Sequence, residues 1–185
     1  MTTNKILTKI VKNKDVNGQY RIGLIIVLED LLKDPINIEK EAKQFEADYL
    51  KLVTDLKRLL DNAKSKKNPK DYWTIGKLLN DFSSNSRFIV TNYVEAIAND
   101  LGISKSYIRF LMNFSSLLAK KYVNKRVPIT HYYELIKKAR KLSKANLIND
   151  VIKLLKEYVD NNNLPTSKKF RKILSDMLKA EDLNK

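Results

Sequence analysis

The 185-residue chain has no cysteine and a single histidine, His131. Without cysteine there is no disulfide framework, no thiolate nucleophile and no sulfur-based zinc site. A lone imidazole cannot build a histidine-rich metal cluster. Glycine and proline are scarce, four of each, which argues against strand-rich architectures with their frequent turns. The glycines stand isolated, so neither GxxxxGK nor GxGxxG occurs and nucleotide hydrolysis is not expected. Long apolar runs are also missing. The longest, IGLIIVL from Ile22 to Leu28, falls far short of the roughly 20 residues that cross a bilayer. The opening MTTNKILTKIVKNKD has no long apolar region and no small-residue cleavage site, so it reads as mature protein, and the expected compartment is the cytoplasm. Carboxylate pairs such as Glu29-Asp30 and Glu181-Asp182 are adjacent, and neighbours diverge on a helix. No enzyme reading and no cofactor follow from these residues.

What is present is apolar content of 43%, enough for a core, and a net charge of +15. With so few turn residues the expected fold class is all-α. The charge is unevenly placed: Met1 to Ala63 holds 11 Lys/Arg against 10 Asp/Glu, whereas Lys64 to Lys185 holds 25 against 11. Such a field favours a polyanionic partner, nucleic acid first and an acidic membrane surface second.

Two units are expected, a helical hairpin or dimerisation unit at 1–66 and a basic domain at 67–185, joined where NAKSKKNPKD interrupts the apolar period. In the first, a helix is expected from Gln19 to Lys33, closed by Asp34-Pro35, and a longer one from a capping Asn37. The longer helix carries Ile38, Ala42, Phe45, Tyr49, Leu52, Leu56 and Leu59 at alternating spacings of four and three, a heptad seam. That seam either packs within one chain or pairs with a second copy. The expectation is a homodimer through Ile38, Phe45, Tyr49, Leu52, Leu56 and Leu59, although Leu50, Val53 and Leu60 widen the stripe toward a bundle.

In the second unit, helices are expected from a capping Asp71, over Arg87 to Leu101, after Pro128 with Thr130 as cap, and over Lys144 to Asp160 and Ser167 to Ala180. Between them stands AIANDLGISKSYIRFLMNF, Ala96 to Phe114. Gly102 can end one helix in left-handed backbone angles, and Ser104 can cap the next. Ile97, Ala98, Leu101, Ile103, Ile108 and Leu111 are then the inner faces of two short helices, a helix-turn-helix pattern. The outward set is Ser104, Lys105, Ser106, Arg109 and Asn113, with Tyr107 and Phe110 at the flanks. Lys105 suits phosphate, as do Ser104 and Ser106 with the helix N-terminus. Arg109 matches guanine O6 and N7, and Asn113 matches adenine N6 and N7. Downstream, Lys120, Lys121, Lys125 and Arg126 can grip the DNA backbone. Lys168, Lys169, Arg171 and Lys172 open an amphipathic helix whose apolar face packs on the body.

From Tyr72 to Leu142, the runs YWTIGKLL, IANDLGISKSYIRFLMNF and ITHYYELIKKA resemble the helical DNA-binding segment of ParB/KorB-like plasmid-partition proteins; they are also similar to the N-terminal helical domain of YhcG-like nuclease-associated proteins. The partition family's arginine-rich nucleotide motif is absent upstream and a nuclease constellation is absent downstream, so neither activity carries over. The resemblance implies a DNA-binding module in a plasmid or mobile-element setting.

His131 reads as a surface or half-buried residue contacting a turn. The functional expectation is a dimeric, nucleoid-associated protein that binds double-stranded DNA, for transcription regulation or plasmid and replicon maintenance, with no membrane partner. The alternative is a basic helical adaptor or inhibitor of an acidic protein or RNA, with the corner as scaffold.

Overall fold

The computed structural model describes residues 7–14, 20–27, 35–84, 88–90 and 92–183. Strands β1 (Leu7–Lys14) and β2 (Tyr20–Val27) pair antiparallel, Val11 opposite Leu24 and Lys14 opposite Tyr20. Strand β3 (Phe88–Val90) pairs antiparallel with β2, giving the order β1-β2-β3. The helix expected over Gln19 to Lys33 is therefore a strand from Tyr20 to Val27, and the helical hairpin it was to form with the next helix is replaced by strand pairing. YRIGLIIV is rich in aromatic and β-branched residues, which suit a pleated surface and lose side-chain freedom in a helix, and Gly23 weakens a helix further. The remainder of that expected helix, Gln19 and residues 28–33, lies outside the described residues.

From Pro35 onward the regular elements among the described residues are helical, as the all-α class has it, apart from β3. Seven α-helices follow among the described residues: α1 (Pro35–Lys66), α2 (Pro69–Ser83), α3 (Tyr93–Leu101), α4 (Lys105–Leu117), α5 (Ile129–Lys144), α6 (Ile148–Asp160) and α7 (Ser167–Leu183). Several expected boundaries move. Helix α1 begins at Pro35 rather than at Asn37, since proline is pre-organised for a first helical position. Asn68, not Asp71, caps α2, its Oδ1 accepting the Lys70 N–H at 3.1 Å ahead of Pro69. Helix α5 starts at Ile129, with Pro128 in place of the expected Thr130 cap. The helix expected from Arg87 starts at Tyr93.

Two compact units emerge, Met1–Arg58 with Leu78–Ile108, and Leu59–Lys77 with Arg109–Lys185. This differs from the expected 1–66 and 67–185. Lys67 takes a left-handed φ of 51° where two residues join α1 to α2, and the stretch Leu59–Lys77 around that corner lies in one unit.

The buried positions of α1 are Ile38, Ala42, Phe45, Tyr49, Val53, Leu56, Leu60 and Ala63. Their spacing is four, three, four, four, three, four, three. The extra four at Tyr49–Val53 breaks the heptad and restores the 3.6-residue period of a straight helix packed on its own chain. Of the expected dimer seam, Ile38, Phe45, Tyr49 and Leu56 are buried within the monomer, while Leu52 and Leu59 are half-buried.

In the first unit an aromatic cluster fixes α3. Phe82 stacks on Phe45 at 4.7 Å and on Tyr93 at 6.2 Å. The Tyr49 hydroxyl donates to Asp100 at 2.7 Å, and the Tyr93 hydroxyl donates to the Leu79 carbonyl at 3.0 Å. Burial pushes both phenols above their ordinary range, with the Asp100 carboxylate adding to the effect at Tyr49.

In the second unit Phe114 tilts against Tyr132 at 4.9 Å, and Phe110 meets Tyr133 edge-on at 5.0 Å, so α4 is held to α5 by aromatic contacts. Gly76 permits α2 to approach α4 closely: a Cβ there would collide with the Leu111 carbonyl oxygen. Trp73 Nε1–H donates to the Leu118 carbonyl at 2.6 Å, fixing the end of α4.

Candidate nucleic-acid interface

Gly102 ends α3 with φ 63° and ψ 33°. The Ile103 N–H then reaches back to the Ala98 carbonyl at 3.0 Å, the six-to-one bond of a Schellman C-cap. Ser104 Oγ accepts the Tyr107 N–H at 3.2 Å and caps α4. Both roles match the reading of the sequence. Between the two helices the chain spends only Gly102, Ile103 and Ser104.

The inner positions Ile97, Ala98, Ile108 and Leu111 are buried, while Leu101 and Ile103 are half-buried. Phe110, expected at a flank, is buried against Tyr133. Ser104, Lys105, Ser106, Arg109 and Asn113 are exposed, and Tyr107 is half-buried. Lys105, Arg109 and Asn113 follow one another at four-residue intervals on a single helix, so they form one stripe. A long cation, a planar guanidinium and a carboxamide thus share one edge of a helix whose opposite face is closed.

Sequence reasoning missed Glu95. Its Oε1 lies 2.6 Å from Lys105 Nζ, and both side chains are about half exposed. An exposed pair of this kind contributes roughly 0–1 kcal/mol, so Lys105 can exchange Glu95 for a phosphate at little cost.

The basic segment after α4 forms a short 3-10 turn, Lys120–Tyr122. Its four expected cations have different surroundings. Lys120 Nζ donates to Thr74 Oγ1 at 3.2 Å and sits 5.5 Å from the centre of the Trp73 ring. Arg126 Nη1 donates to the Val159 carbonyl at 3.2 Å, near the C-terminal end of α6, where the helix dipole favours a cation. Lys121 and Lys125 are exposed. They stand at the rim of a cleft of about 640 Å³, together with Lys70, Lys156 and Asp160. The Tyr132 hydroxyl in that cleft accepts the Asn124 N–H at 2.7 Å, and burial pushes its pKa up to about 12.

His131 is buried, which corrects the surface or half-buried reading. Its Nε2 lies 2.7 Å from the Pro165 carbonyl and its ring 5.3 Å from Phe170, so it holds the turn before α7. Among the described residues no group of three His, Cys, Asp or Glu side chains converges as a metal site, and no helix is long and apolar enough to cross a membrane.

Helix α7 buries Phe170 and Leu174, with Ile173, Met177 and Leu178 half-buried, in keeping with the amphipathic reading. Arg171, however, is bound to the buried Glu134 on α5 through Nε–Oε2 at 2.7 Å and Nη2–Oε1 at 2.6 Å. Compared with protein-family models, curated proteins and solved structures, the chain matches none.

Proposed function

We propose that the chain is a double-stranded DNA-binding protein that lays α4 in the major groove as the second helix of a helix-turn-helix. The observation that carries this reading is the stripe of Lys105, Arg109 and Asn113, exposed on a helix that is capped at its N-terminus by Ser104 and buried on its other face. Arg109 reads guanine and Asn113 reads adenine, while Ser104, Ser106 and Lys105 take phosphate. Lys121 and Lys125 add backbone contacts, and the surplus of cations after Ala63 draws the polyanion in. The resemblance to the ParB/KorB-like segment makes plasmid or replicon maintenance one setting for this activity, with transcription regulation the other. Two copies on a repeated site fit either setting. With most of the α1 seam buried, a second copy has to use another surface.

The test is anisotropy of a labelled random-sequence duplex titrated with the protein across a salt series. Binding whose affinity falls steeply and linearly in log–log form supports the reading. Absence of binding at low salt, with a tight acidic protein partner recovered instead, supports the adaptor alternative.

A further inference from the structure

We propose that the outer edge of α5, together with α7, forms a second docking surface for the phosphodiester backbone of duplex DNA, beside α4 rather than on it. The inference rests on the reading of α4 as the DNA-facing helix.

The surface is an open groove of about 510 Å³ lined by Glu134, Lys137, Lys138, Arg140, Lys141 and Arg171. Glu134, the one acidic lining residue, is spent on Arg171. Lys138 Nζ donates to Ser175 Oγ at 2.9 Å, and Lys137 Nζ lies 4.8 Å from the centre of the Tyr133 ring. Neither contact supplies a negative charge. Arg140 and Lys141 are exposed and have no ion-pair partner among the described residues. Lys137 and Lys138 share the field of Glu134 with Arg171, so one carboxylate faces five cations, and Arg140 and Lys141 stand without a counter-charge.

Their spacing is unfavourable to the helix itself. Residues 137 and 140, 137 and 141, and 138 and 141 are three or four apart, and like charges at that spacing repel. The helix dipole accounts for cations only in the last turn, where Lys141 and Lys144 sit. A bound polyanion relieves the repulsion. A groove that is open and lined by long cationic side chains suits a phosphate chain better than a base edge, which needs donors at set positions.

Continuity with α4 selects the occupant. Tyr133 carries Lys137 near its ring and meets Phe110, the residue after Arg109, at 5.0 Å. The groove thus begins one aromatic ring away from the reading helix. DNA lying along α4 brings its backbone to the groove's flank, and phosphate contacts beside a reading helix fix its register.

The experiment compares salt-dependent duplex binding by wild type, by the double variant Arg140→Gln/Lys141→Gln, and by the control Lys51→Gln/Lys57→Gln. The control removes the same charge from exposed positions of α1. All four side chains are exposed, so folding is retained and is checked by thermal melting. The expected result is a salt slope lower by about two in the Arg140/Lys141 variant, near 0.9 per lost phosphate contact, with the preferred sequence unchanged and the control close to wild type. An unchanged slope, or equal losses in variant and control, overturns this inference while leaving α4 untouched. Loss of acidic-vesicle binding with duplex binding intact assigns the groove to a lipid surface and overturns it too. If wild type binds no duplex, the α4 reading and this inference fall together.

Discussion

Arg171 on α7 grips Glu134 on α5 through two parallel hydrogen bonds, and the carboxylate is buried although its partner is largely exposed. The guanidinium holds the Glu134 carboxyl below its ordinary value of 4.5, with burial opposing the shift and Lys137 and Lys138 adding to it. A depressed folded pKa stabilises the protein fully above the unfolded value, and that contribution is lost as pH falls through the folded one. Glu134→Gln is expected to lower the melting temperature by several degrees at neutral pH. The gap from wild type should shrink as pH drops below about 4.5. Melting curves of both proteins across that range check it; a pH-independent gap counts against the pairing.

Gly102 and Gly76 are expected to respond differently to alanine. At Gly102 the space is open and only the left-handed φ of 63° penalises a side chain, so Gly102→Ala costs roughly 1–2 kcal/mol. Inside a helix glycine is normally worse than alanine by about 1 kcal/mol. Gly76→Ala is nonetheless expected to cost about 3 kcal/mol or more, because the added carbon meets the Leu111 backbone, which cannot rotate away. Denaturant unfolding of the two variants checks the order.

Phe45 and Tyr49 test the fate of the heptad seam. Phe45→Ala removes a buried ring stacked on Phe82 and should cost about 3–5 kcal/mol. Tyr49→Phe leaves the Asp100 carboxylate without its donor and should cost about 1–2 kcal/mol. Neither is expected to change the mass in sedimentation of the folded protein. A dimer that dissociates in Phe45→Ala while the fold persists would restore the intermolecular seam.

The α3–α4 corner was legible because its chemistry is local: a left-handed glycine and a capping serine act on their own neighbours. Exposure along Lys105, Arg109 and Asn113 followed from helical period alone. The N-terminal sheet was not read, although Asn17-Gly18 between two runs containing β-branched residues is a strong hairpin signal in the sequence. The apolar spacing of IGLIIVLEDLL also fits a helix, and a short apolar run does not separate the two by period. In the α1 stripe Leu52 and Val53 are equally apolar, and only tertiary packing buries Val53 and leaves Leu52 half-buried. Glu95 and Gly76 act through partners 10 and 35 residues away, Lys105 and Leu111, and no local pattern announces such pairs.

Glu95→Gln is expected to strengthen duplex binding. Removing the carboxylate beside Lys105 frees the cation for phosphate, and an exposed pair contributes up to about 1 kcal/mol, so affinity should rise by no more than about fivefold. Anisotropy at fixed salt measures it. A fall in affinity would mean that Glu95 positions Lys105 rather than competing for it.

The central claim is direct reading of bases by α4, and selection from a randomised duplex library, run in parallel with wild type and Arg109→Ala, tests it most directly. Wild type should enrich a defined motif. Arg109→Ala should retain duplex binding while losing preference at one guanine position, a change of about 1–3 kcal/mol in discrimination. No enrichment by wild type, or the same motif from both proteins, would contradict it.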